Sequence, residues 1–131
     1  MRVDRRELAA IFAGGVIGAL ARGLLTDALP NDSGHWPWAT FGANLTGAAL
    51  LGYFVTRLQE RLPLSSYRRP FLGTGLCGAL TTFSTMQIEL LRMLDDHAWL
   101  LAGAYATATV SGGFACVLVT TNMVRRVRPA T

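Results

Sequence analysis

The chain has 131 residues, of which 51% are hydrophobic and only 15% charged, against roughly one quarter charged in soluble domains. Its net charge of +4 is carried on the basic side by arginine alone, without a single lysine. The length suits one domain. The low charge weighs against a soluble globular protein, and arginines that flank apolar runs read as membrane topology rather than as a nucleic-acid surface.

Four apolar runs follow one another, each near the ~20 residues that span a bilayer. Residues 1–131 are therefore read as a single four-helix transmembrane domain, with spans at about 8–29, 36–58, 71–94 and 99–124. The fold class expected is an all-α membrane protein. The first span holds Gly14 and Gly18 as a GxxxG pair, a spacing that lets helix backbones approach closely. It also holds Arg22, about two-thirds of the way through at ~1.5 Å per residue. A charge at that depth either snorkels to the outer interface or stands at the mouth of an aqueous vestibule, where it would attract anions. The run ends in the turn Pro30-Asn31-Asp32-Ser33-Gly34.

The second span opens with Trp36 and Trp38, suited to an interfacial belt. It carries the small pairs Ala43/Gly47 and Ala48/Gly52 and one polar residue, Asn44. A membrane asparagine commonly bonds a neighbouring helix, and it can equally donate into a polar pore; both readings stay open for Asn44. The fourth span begins at Trp99 and is thinned by Gly112 and Gly113. Cys77 and Cys116 fall inside apolar runs with no ligand cluster beside them and read as small core residues. His35 and His97 lie outside the spans.

The third span is unusual. Thr81, Thr82, Phe83, Ser84 and Thr85 place four hydroxyls and a phenyl ring in consecutive positions inside an apolar run, just after Gly78. Polar groups in hydrocarbon are costly unless paired, so such a streak points to function. Gly and Thr groups are also where membrane helices bend and free carbonyl oxygens, which suit hard cations. A phenyl ring has a positive edge able to face a small anion. Glu89 is the acid well inside a span and lies toward the outer end of the third. No nucleophile–base set is discernible, so no enzyme is expected.

Arginines sort by side. Arg2, Arg5 and Arg6 precede the first span, Arg57, Arg61, Arg68 and Arg69 surround the second loop, and Arg125, Arg126 and Arg128 follow the last. With four spans these regions share one face, and the opposite face has only Arg92 beside Asp95 and Asp96. The positive-inside rule then puts both termini in the cytoplasm of a multi-pass plasma-membrane protein.

Gly78-Ala79-Leu80-Thr81-Thr82-Phe83-Ser84-Thr85 resembles the GxxTTFST core of the CrcB/Fluc fluoride channels. Gly14 to Arg22 resembles their first-span GGxxGAxxR, and Phe41 to Gly47 resembles the region bearing the family asparagine, here Asn44. The resemblance covers the whole chain. It implies an antiparallel dimer of four-helix subunits with a broken third helix, exporting fluoride passively through two pores. It further implies a structural sodium ion (Na+) at the dimer centre, held by backbone carbonyls at Gly78 and Thr81. Fluoride would pass Asn44, Phe83, Ser84, Thr85, Tyr105 and Thr109, with Arg22 at the vestibule. Met86 stands where the family often has a second phenylalanine, and is carried as a pathway residue without an aromatic edge. Gly113 stands where some members have a serine, with Ser111 nearby on another face.

Dual insertion needs nearly balanced loop charges, whereas this chain is biased to one side. The expectation is therefore a heterodimer with an oppositely oriented homologue, a homodimer being the other arrangement. Two rival readings are a small multidrug-type proton-coupled exporter, disfavoured by the lack of a mid-membrane acid in the first span, and a non-transporting membrane assembly subunit.

Overall fold

A computed structural model describes residues 4–32, 34–60 and 67–127. Ser33 of the first turn and Arg2, Arg61 and Arg128 of the arginine count lie outside the described residues. Helix α1 spans Arg5–Ala28 and α2 spans Trp38–Glu60. The third segment begins as a π-helix over Pro70–Cys77 and continues as α-helix through Gly78–Leu80, together α3. Then Thr81 (φ −77, ψ 152) and Thr82 (φ −147, ψ 114) are extended before α4, Phe83–Asp95. Helix α5 runs over Trp99–Arg126.

Local chemistry explains the ends. Asp4 caps α1, its Oδ1 accepting from Arg6 N at 2.9 Å, so the helix starts among charged residues ahead of the apolar run. Pro37 just precedes α2, and Pro70 opens α3, where a missing N–H costs nothing. Helix α4 closes on His97, a left-handed residue at φ 59 whose Nδ1 meets Asp95 O at 2.9 Å.

Helices α1 and α5 are long and apolar enough to cross a membrane, yet only 11% and 17% of their most apolar windows are buried. Phe12, Leu20, Leu24, Leu100 and Phe114 stand exposed. A soluble protein would bury such faces; long apolar helices open to their surroundings fit a lipid solvent.

Packing is built on small residues. A Cβ at Gly14 would fall onto Phe71 O, one at Gly18 onto Leu76 O, and one at Gly75 would meet Ile11 O at 2.5 Å. Helices α1 and α3 thus touch backbone to backbone, close enough for dispersion and Cα–H···O contacts to replace the hydrophobic effect as glue. Helices α2 and α5 approach in the same way at Gly52, against Val117 and Thr120. Arg125 of α5 grips Glu60 of α2 with Nη2 at 2.6 Å from Oε1 and Nε at 3.0 and 3.1 Å from the two oxygens. Met86, Met93, Ala102 and Tyr105 form a buried cluster between α4 and α5, with Trp36 and Phe41 packed on it.

Candidate functional site

The interruption between α3 and α4 is held by side chains. Asn44 on α2 accepts from Thr82 N at 2.8 Å through Oδ1 and donates to Thr82 O at 3.2 Å through Nδ2. One amide thereby satisfies both backbone groups of an extended residue, which in an apolar surrounding would otherwise each cost about 1–3 kcal/mol. Of the two readings open for Asn44, the interhelical bond is present. One Nδ2 hydrogen is left over for another acceptor.

Thr82 is the N-cap of α4. Its Oγ1 accepts from Thr85 N at 3.2 Å, donates to Thr85 Oγ1 at 2.9 Å and lies 3.4 Å from Ser84 Oγ. Thr81 folds the other way, its Oγ1 donating to Cys77 O at 3.0 Å, and its methyl occupies the space above Gly47. Two carbonyls lose their ordinary helical partners as a result. The amides four residues beyond Gly78 and Thr81 are Thr82 N and Thr85 N, and these go to Asn44 Oδ1 and Thr82 Oγ1 instead. Oxygens diverted from a helical ladder in this way are the donor type a hard cation takes.

Beside the interruption lies an open groove of about 310 Å³, lined by Asn44, Thr81, Thr82, Phe83, Met86, Thr109 and Val110. Phe83 is 70% exposed, so its ring stands at the surface of the single chain. Met86 is both a groove residue and buried, packing back against Tyr105. Thr109 Oγ1 donates to Tyr105 O at 2.8 Å. Ser84 and Thr85 are exposed at the first turn of α4, on the Thr82 hydroxyl. The start of a helix carries partial positive charge and unpaired amides, which favour an anion.

The structure thus gathers Asn44, Phe83, Met86 and Thr109 on one groove, with Ser84 and Thr85 joined to it through Thr82 and Tyr105 through Thr109. Arg22 is half-buried on α1 and does not line the groove. Ser111 bonds Thr107 O at 2.6 Å within its own helix, and Gly113 is packed near Ala48. Two residues that the sequence analysis named but gave no place in the pathway stand out. Thr82 is the hub of the interruption, and Glu89 is buried, accepting from Thr40 Oγ1 at 2.6 Å and Tyr105 Oη at 2.7 Å. Their partners are 38, 49 and 16 residues away, separations with no helical period to reveal them.

Comparison with known proteins places the chain among its relatives. The family described as CrcB-like protein, Camphor Resistance (CrcB) matches residues 9–121. A protein of Mycolicibacterium paratuberculosis named fluoride-specific ion channel FluC 1 is 58% identical over 125 residues, covering 95% of each chain. A Mycobacterium tuberculosis protein of the same name is similar to the same extent. A Chlorobaculum tepidum fluoride-specific ion channel, FluC, is 37% identical over 107 residues, 82% of this chain and 85% of the relative. With its helices, its Thr-Thr-Phe-Ser-Thr interruption and a family match over most of its length, this chain belongs to the CrcB family.

Proposed function

We propose that the chain is a subunit of a fluoride-selective channel that lowers cytoplasmic fluoride by passive export, without catalysis. The observation that carries this reading is the groove. A phenyl ring, an asparagine amide, threonine hydroxyls and a helix start converge on it in a protein whose exterior suits lipid. Its relatives' name, fluoride-specific ion channel, supports the same reading. An unpaired ion in an apolar medium costs tens of kcal/mol by simple solvation arithmetic, so a conducting path must replace water with fixed donors and ring edges. Asn44, Phe83, Ser84, Thr85, Met86, Tyr105 and Thr109 are the residues proposed to do so, with Arg22 drawing anions to the vestibule.

The groove is open on one side, and Phe83, Val110 and Phe114 are about two-thirds exposed. A second subunit closes it in this reading, as an antiparallel dimer in which the interrupted third segment is the broken helix. The carbonyls of Gly78 and Thr81 would hold a sodium ion at the dimer centre, where a fixed positive charge offsets the repulsion between anions in neighbouring pores. The arginine bias puts both termini in the cytoplasm and favours a heterodimer with an oppositely oriented homologue.

The test is fluoride efflux from liposomes containing the purified chain, with chloride as control. Fast fluoride-selective efflux from the chain alone, or only after co-reconstitution with an oppositely biased homologue, supports the channel and identifies the dimer type. Silence in both refutes it.

A further inference from the structure

The interruption of the third segment leaves part of α1 uncovered. Helix α1 packs on α3 through Gly14 and Gly18, but α3 stops at Leu80, where Thr81 and Thr82 turn extended. The chain resumes as α4, which packs on α5 and α2 and not on α1. Past Gly18, α1 therefore has α2 alone beside it, and the two stand apart: a Cβ at Gly42 of α2 would meet only Leu25 Cδ2, at 3.9 Å. Between them lies a cleft of about 390 Å³, walled by Ile17, Ala21 and Leu25 of α1 and by Ala43 and Thr46 of α2, with Leu80 at the end of α3. Thr46 brings the one hydroxyl among the described residues that line it.

This cleft is distinct from the Phe83 groove. At about 100° per residue, Asn44 stands roughly 100–160° round α2 from Ala43 and Thr46, so a second subunit that closes the groove does not by that contact fill the cleft. From Ile17 to Leu25 the cleft follows α1 for about 12 Å, close to the ~15 Å of hydrocarbon in one leaflet. A wall this apolar offers water too few of the roughly two to four polar partners it needs. An acyl chain needs none.

A cation stands beside the cleft. Arg22 directly follows Ala21 and lies one turn beyond Gly18, both of them lining residues. It is half-buried and has no ion-pair partner among the described residues. Asp27, five residues on, is turned about 140° away round α1. A half-buried charge on an apolar helix needs a counter-ion or water. Arg22 is six residues, about 9 Å, short of the end of α1 at Ala28, so its guanidinium can snorkel to headgroup level. The acceptor on offer there is phosphate, which the planar fork meets with two parallel N–H donors.

We propose that the cleft between α1 and α2 is a docking site for one phospholipid of net negative headgroup, its phosphate on Arg22 and one acyl chain along Ala21, Leu25 and Leu80. A zwitterionic headgroup brings its own ammonium and gains less from a lone guanidinium, so the anionic one is preferred. Phosphate seated there neutralises part of the charge that Arg22 offers the vestibule, and headgroup and permeating anion compete for it. This rests on the membrane location in the proposed function and not on fluoride conduction.

The experiment follows lipids retained on the purified full chain, in the oligomer it forms, by native mass spectrometry during titration with phosphatidylglycerol, phosphatidylcholine or inorganic phosphate. The wild type should hold phosphatidylglycerol about tenfold more tightly than phosphatidylcholine and retain no inorganic phosphate. Arg22→Gln should erase that preference and leave phosphatidylcholine retained. Ala21→Phe, which fills the cleft, should weaken both lipids alike, whereas Leu20→Phe, at an exposed position of α1 outside the cleft, should change neither. Equal retention of the two lipids by the wild type, a preference that survives Arg22→Gln, or inorganic phosphate held as well as the lipid overturns the proposal. Retention untouched by Ala21→Phe overturns it too, and means that protein from a second subunit covers the cleft. The wild-type preference and the Ala21→Phe arm decide the matter even where Arg22→Gln does not fold. A chain that shows this lipid preference but moves no fluoride refutes the channel reading alone.

Discussion

Gly15 and Gly18 lie less than one turn apart on α1, but a methyl group added to each should act in opposite directions. At Gly18 the new Cβ would fall onto Leu76 O, with Leu80 N at 3.0 Å and Leu76 C at 3.1 Å. All three are backbone atoms, so no rotamer change relieves them and α1 must move from α3 by about 1 Å to restore ordinary contact distances. Overpacking of this kind costs about 1–3 kcal/mol, and rigid neighbours put Gly18→Ala at the upper end. At Gly15 a Cβ meets nothing within 4 Å, so Gly15→Ala keeps only the gain in helix propensity, about 1 kcal/mol. The expected gap between the two variants is about 3 kcal/mol, read as thermal or denaturant midpoints of the purified protein in one detergent. Flux should follow the same order, because α3 leads directly into Thr81 and Thr82. Equal midpoints for the two variants, or a stable Gly18→Ala, would show that α1 and α3 do not make this backbone contact.

Three further outcomes follow from the site. Phe83→Ala removes a ring that is mostly exposed on the single chain, so the stability of the dissociated subunit in detergent should change by less than about 1 kcal/mol while fluoride efflux falls more than about tenfold; retained efflux would return Phe83 to a packing role. Asn44→Ala leaves Thr82 N and O without their partner and should cost about 2–6 kcal/mol, seen as a lowered midpoint together with lost efflux, and a neutral result would contradict the two-point contact. Cysteines introduced near either terminus should be labelled by an impermeant reagent only from the cytoplasmic side; a substantial outward fraction would remove the basis for a fixed orientation and for an obligate heterodimer.

Much of the fold was legible because lipid demands long apolar helices and tolerates few exceptions. Helix ends differ from the apolar runs where a cap or a proline intervenes. Asp4 starts α1 before the hydrophobic residues begin, and Pro37 leaves Trp36 outside α2, where it packs on Tyr105 instead of matching Trp38 at an interface. The polar streak marked the interruption, since Thr81 and Thr82 are the residues that leave the helix. What the streak could not reveal is which hydroxyl faces inward. Thr82 is buried and caps α4 whereas Ser84 and Thr85 are exposed, a division set by the helix phase after the interruption. Glu89 stayed without a role for a related reason: its partners come from two other helices, and only packing brings them to one carboxylate.

The bond between Asn44 and Thr82 has a consequence for solvent. Its side-chain amide offers one N–H and one C=O to one N–H and one C=O of the main chain, as a neighbouring strand would, so α2 supplies a single rung of β-ladder to an otherwise helical protein. Extended backbone at membrane depth is ordinarily tolerated only where it is buried in protein or lines a water-filled cavity. A one-residue strand mimic meets the first condition on the α2 side, so this stretch can stay dry there and face the groove with its hydroxyls alone.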